Sequence, residues 1–122
     1  MSRIPIPATI EAAPAASRQL LETVKKQLGA VPNLFRLVAN SPSALQGYVA
    51  LFDALNRGSL PAPTRERIAL AVSELNGCSY CLSAHTYLGK NLAKLDDAEI
   101  SANRNGNSND PFAASAVRFA VK

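Results

Sequence analysis

The chain has 122 residues, 48% of them hydrophobic and 18% charged, a globular balance in a length that suits one core without staples. Thirteen Lys and Arg against nine Asp and Glu leave a net charge of +4. That excess is scattered, with no basic run longer than Lys25-Lys26, which excludes a polybasic arm and argues against nucleic acid as a partner. There is no Trp, so stacking platforms for single strands are thin, and no apolar stretch approaches the ~20 residues of a membrane span.

Met1 to Pro14 carries Pro5, Pro7 and Pro14. Proline resists a helix interior, so residues 1–16 are expected to form an extended arm, either frayed or laid along a neighbour. This stretch lacks the charged start and apolar run of a secretory signal. A cytoplasmic, reducing setting is therefore expected, where two cysteines suit catalysis or metal binding better than a permanent staple.

Residues 17–122 read as one helical domain. From Ser17, apolar Leu20, Leu21, Val24 and Leu28 recur at helix spacing, and Gly29 offers a stop. Val31-Pro32-Asn33 breaks the chain before a short helix over Leu34 to Ala39. Ser41 is an expected N-cap with Pro42 in the first turn. Leu45, Tyr48, Val49, Phe52 and Leu55 line one face of that helix, which Gly58 closes. After a proline-punctuated link at 59–63, Thr64 is expected to cap a helix with the stripe Ile68, Ala69, Val72 and Leu75. Asn76-Gly77 interrupts it, and a helix resumes from about Cys78 to Leu95. Asp96 with Glu99 matches a capping box. Asn103 to Asn109 reads as a loop, and Asp110-Pro111 starts a last helix with Ala113, Ala116, Val117, Ala120 and Val121 inward. That helix reaches Lys122 without a stop signal, so either it docks on a partner or the chain is a shortened form of a longer protein. Alternating strand patterns with hairpin turns are missing, and the expected fold class is all-α.

The informative segment is Cys78-Ser79-Tyr80-Cys81-Leu82-Ser83-Ala84-His85. On a helix, residues three and four apart share a face, so both sulfurs and the only imidazole lie on one stripe. The first thiol falls at a helix N-terminus, where exposed N–H groups and the helix dipole favour a thiolate. His85 can take the proton of Cys81 directly, which nominates Cys81 as the attacking thiol and Cys78 as its resolving partner. The two effects pull in opposite directions, and residue spacing leaves open which thiol is the more acidic. A thiolate attacks a peroxide O–O bond to give a sulfenic acid, and a second thiol within reach condenses with it to a disulfide. Three other readings compete: two buried small hydrophobes, half of a zinc site short of a fourth ligand, and a thioredoxin-type CxxC, which expects a βαβ setting.

The run Arg65-Glu66-Arg67-Ile68-Ala69-Leu70-Ala71-Val72, continuing into Glu74-Leu75-Asn76-Gly77-Cys78-Ser79-Tyr80-Cys81 and Ala84-His85, resembles the core of the alkylhydroperoxidase-D-like proteins of the carboxymuconolactone decarboxylase superfamily. Their signature is Glu, eleven residues, Cys, two residues, Cys, three residues, His, and Glu66, Cys78, Cys81 and His85 match it. Weaker echoes, including Gly29-Ala30-Val31-Pro32-Asn33, extend the resemblance over roughly residues 17 to 105. It implies a compact all-helical fold with the CxxC at the N-terminus of a central helix, and a thiol peroxidase needing no metal or organic cofactor. Cys81 would react with the hydroperoxide, Cys78 would resolve, and His85 with Glu66 would form the proton relay. The implied partners are a hydroperoxide, a dithiol electron donor such as a lipoyl protein, and further copies in a trimer or hexamer. Glu74 is a rival for the role of Glu66. Where the best known members carry a second His, this chain has Tyr80, read here as packing. Arg65 and Arg67 are expected to form surface pairs. Two alternatives stand beside the peroxidase: a disulfide oxidoreductase or redox sensor of the same family, and a zinc-holding interaction module.

Overall fold

The computed structural model describes residues 3–122, and those residues form helices and connecting turns with no strand among them. The expected all-α class is therefore observed. Contacts divide the chain into two compact units, Met1–Gly58 and Ser59–Lys122. Met1 and Ser2, the start of the expected arm, lie outside the described residues.

The first unit holds α1 (Ala15–Leu28), α2 (Asn33–Val38) and α3 (Pro42–Asn56). The segment before α1 is held against α2. The Arg36 guanidinium donates to the Pro7 and Ala8 carbonyls, and the Asn40 amide donates to the Pro5 carbonyl. Gly29 ends α1 in the left-handed region (φ 79°), a conformation that costs a Cβ-bearing residue more. Ser41 caps α3 through its Oγ, as its place before Pro42 predicts. The core gathers Ala13, Leu21, Val24, Phe35, Ala39, Leu45 and Val49. Phe35 meets Tyr48 and Phe52 edge-on, with centroids 5.3 and 6.1 Å away. The buried Ser17 hydroxyl is satisfied by the Ala39 carbonyl at 2.8 Å, which removes the penalty of burying it.

The second unit holds α4 (Ala62–Leu75), α5 (Ser79–Asn91), α6 (Asp97–Arg104) and α7 (Pro111–Ala120). α4 packs against α5, α6 and α7. Thr64 is not the cap expected of it: Pro61 holds the N-cap position, and Thr64 is buried inside the first turns of α4. The face of α4 that packs inward is also rotated from the expected stripe. Leu70 and Ala71 are buried, whereas Leu75 is 65% exposed. Leu70, Leu95 and Ile100 form the apolar centre, with Leu82 and Ala93 against it. α5 stops at Asn91, short of the expected Leu95, because Lys94 turns left-handed (φ 58°) and the Leu95 N–H returns to the Gly89 carbonyl at 2.9 Å. α7 starts at Pro111 with Asp110 as its cap and buries Ala113, Ala114 and Val117. Among the described residues, no helix is long and apolar enough to cross a membrane.

Candidate active site

The turn from α4 to α5 sets the site. Asn76 ends α4, Gly77 adopts φ 61°, and the Cys78 N–H bonds back to the Ser73 carbonyl at 3.0 Å. The reversal leaves Cys78 extended (φ −85°, ψ 90°) as the N-cap of α5. Its Sγ accepts the backbone N–H of Cys81 at 3.2 Å. A sulfur thus occupies the place that a Ser or Asp oxygen usually fills, satisfying one of the orphan donors of a helix start. Cys78 and Cys81 are joined as a disulfide, S–S 2.08 Å and Cα–Cα 5.3 Å.

One turn further along α5, His85 sits on the face of Cys81. Its Nδ1 lies 2.8 Å from Glu66 Oε2 on α4. A carboxylate only accepts, so Nδ1 is the donor, and Nε2 is left as the ring's basic nitrogen. Both side chains are partly covered, at 31% exposure for His85 and 21% for Glu66, so solvent screens the pair less than it would a surface pair. The four residues that match the signature are thereby held at two neighbouring helices: Cys78 as the N-cap of α5, Cys81 and His85 within it, and Glu66 on α4.

Glu74, the rival carboxylate, points elsewhere. Its Oε2 accepts from Arg104 Nε at 2.6 Å, in a groove that Thr86, Lys90, Asp97 and Ser101 also line. Arg65 donates to the Leu60 carbonyl. Arg67 corrects the expectation of a surface pair: its side chain is 13% exposed and its Nε donates to Glu99 Oε1 at 2.7 Å.

Glu99 is the charged residue the sequence concealed. Asp96 Oδ1 accepts the Glu99 N–H at 2.7 Å, which is half of the expected capping box, but the Glu99 carboxylate does not reach back. It is buried (6% exposed) and accepts from Arg67, the Asn103 amide, the Ser108 hydroxyl and the Asn109 N–H. Burial by itself would raise its pKa, yet the donors from Ser108, Asn103, Asn109 and Arg67 outweigh that and hold it at about 2. The signal available was the Asp96–Glu99 spacing, and it has two structural readings. Among the described residues, no three of His, Cys, Asp and Glu converge as metal ligands.

An all-helical unit with a disulfide at a helix N-terminus and a hydrogen-bonded His–Glu pair one turn away fits a redox-active dithiol protein. The chain belongs to the carboxymuconolactone decarboxylase family, whose model matches residues 42–120. That match starts later and runs further than the stretch over which the sequence motifs echo the family. The chain is also similar to an uncharacterized protein of Haemophilus influenzae, 43% identical over 63 residues. The match covers 51% of this chain and 50% of that one, so the chain spans about half the length of the curated relative it matches.

Proposed function

We propose that this protein is a thiol-dependent alkyl hydroperoxide reductase. The observation that carries the reading is the His85 Nδ1–Glu66 Oε2 contact of 2.8 Å, made one helical turn from a cysteine of the Cys78–Cys81 disulfide. In the reduced protein, His85 Nε2 takes the proton of Cys81, and Glu66 stabilises the imidazolium that forms. The Cys81 thiolate attacks the terminal peroxide oxygen and the O–O bond breaks. The alkoxide leaves with the proton from His85 as an alcohol, and Cys81 becomes a sulfenic acid. Cys78 then attacks the Cys81 sulfur, the S–O bond breaks, and water departs after proton transfer. The product is the disulfide present in this structure. A dithiol donor, of which a lipoyl protein is one example, restores both thiols by exchange. No metal or organic cofactor enters the scheme. A reducing, cytoplasmic setting and a homo-oligomer, trimer or hexamer, belong to the same proposal. Lactone decarboxylation makes no use of the cysteine pair.

A second reading is favoured by the position of Cys78 at the helix N-terminus. A disulfide oxidoreductase or redox sensor would use the same dithiol without peroxide turnover. One experiment separates the two. Free thiols are counted on the reduced protein before and after one equivalent of an organic hydroperoxide. The peroxidase reading expects a fall from two thiols to none, with an intramolecular disulfide by intact mass. Persistence of both thiols sinks it and leaves disulfide exchange and metal content as the next measurements.

A further inference from the structure

The two sulfurs of the disulfide are not equivalent. Cys78 is the N-cap of α5, and its Sγ already receives the Cys81 N–H at 3.2 Å. The Cys81 N–H and the positive end of the helix both favour negative charge on that sulfur. Cys81 lies inside the first turn, and its own N–H is the donor engaged by Cys78. The titratable group one turn beyond it is His85, bound through Nδ1 to Glu66. When the S–S bond breaks heterolytically, the electron pair is therefore better accommodated at Cys78. In thiol–disulfide exchange, the sulfur whose thiolate is the more stable leaves the faster.

We infer that Cys78 is the leaving sulfur when the disulfide is opened and that the incoming thiolate attacks Cys81, so that the donor is held as a mixed disulfide on Cys81. The step rests on the reading of this pair as a working dithiol, but the opening of the ring needs no peroxide. A donor thiolate forms a bond to Cys81 Sγ, the Cys78–Cys81 bond breaks, and the pair passes to Cys78 Sγ, where the Cys81 N–H already waits. The donor is a dithiol. Its second thiol gives its proton to His85 Nε2 and attacks its own bound sulfur. The bond to Cys81 breaks, and Cys81 leaves and receives that proton from His85, while Cys78 takes up the proton the first donor thiol released. The donor is oxidised to its disulfide by two electrons, and the protein disulfide is reduced to two thiols. Cys78 thus closes the ring in one half of the cycle and opens it in the other. Cys81 alone carries foreign groups, first the peroxide oxygen and then the donor.

The test uses the oxidised full-length chain and glutathione as a monothiol that cannot complete the second step. After mixing, the reaction is quenched with excess N-ethylmaleimide, and the two cysteines are read by tandem mass spectrometry. The expected result is glutathione on Cys81 and maleimide on Cys78, in at least roughly tenfold excess over the reverse pattern. An equal or reversed distribution overturns the assignment. Where re-closure leaves too little adduct to read, thiolate absorbance decides. Cys78 in the Cys81→Ser variant should titrate lower than Cys81 in the Cys78→Ser variant, and the opposite order overturns the assignment. The two proposals fail separately. A chain that opens through Cys81 yet keeps both thiols in the presence of peroxide loses the peroxidase reading alone. A chain that reduces peroxide but carries glutathione on Cys78 loses this one alone.

Discussion

Cys81→Ser should abolish peroxide turnover, because the attacking atom is gone. Cys78→Ser should permit one oxidation per chain and then stall as sulfenic or mixed-disulfide forms. Stopped-flow single turnover followed by mass analysis distinguishes the two, and full activity in both variants would remove the mechanism. Glu66→Gln keeps the shape next to His85 but replaces a carboxylate with a neutral amide. It should lower the rate of Cys81 oxidation by about a hundredfold while leaving the disulfide able to form, a split read from steady-state rates against end-point thiol counts. At this scale the sequence was informative wherever the chemistry depends on short spacing. Cys78, Cys81 and His85 share a helical face by arithmetic alone. Glu66 needed the family resemblance, because nothing in its local sequence says that its partner lies nineteen residues away. Arg67 departs from the expected surface pair for the same reason: its partner Glu99 is on another helix, and neighbouring residues say nothing of it.

Glu99 ties three elements together, since Arg67 is on α4, Asn103 on α6, and Ser108 and Asn109 lie just before α7. Its folded pKa of about 2 lies below the ordinary 4.5. A depressed carboxylate stabilises the fold above its unfolded pKa, and that stabilisation is lost as pH falls through the folded value. The contribution, about 3 kcal/mol, should be complete at neutral pH and fade from about pH 4.5 down to about pH 2. Glu99→Gln would set an amide N–H2 against the N–H of Asn109 or the donors on Oε1. It should therefore lower stability at pH 7 and flatten the acid limb of the denaturation midpoint against pH; an unchanged acid limb would contradict the account. Leu70→Ala, at a position with no exposure, should cost about 2–5 kcal/mol in chemical denaturation. Element ends were the least legible part. α5 ends where Lys94 turns left-handed, a task that Gly or Asn usually performs, so the sequence carried no stop. Asp96 caps α6 as its spacing predicts, but burial drew the Glu99 side chain away from the reciprocal bond.

At the scale of the molecule, Cys78, Cys81, His85 and Glu66 all belong to the unit Ser59–Lys122. Their disulfide closes a ring between positions separated by three. Loop-closure reasoning gives a ring that small about 2 kcal/mol of stabilisation, a modest fraction of a domain's total. Oxidised and reduced protein should both melt cooperatively, with the reduced midpoint a few degrees lower. Collapse of the reduced form would mean that the bridge is structural and would count against a redox cycle. The all-α class was legible from helical periodicity and from the lack of strand patterns. The division at Gly58 was not, because a proline-rich link looks the same inside one core as between two.

α4 lies against every other helix of its unit and carries Glu66 and Arg67 side by side. Segments surrounded on several sides expose their amides only in the largest openings of a fold. In native-state hydrogen exchange, the amides of α4 around Leu70 should be among the last of this unit to take up deuterium, and those of the α4–α5 turn among the first. On that expectation the carboxylate beside His85 would stand on slowly exchanging ground, and the sulfurs at a turn that opens more readily. A proton relay gains from a fixed anchor, and a dithiol that must meet a bulky donor gains from a mobile one.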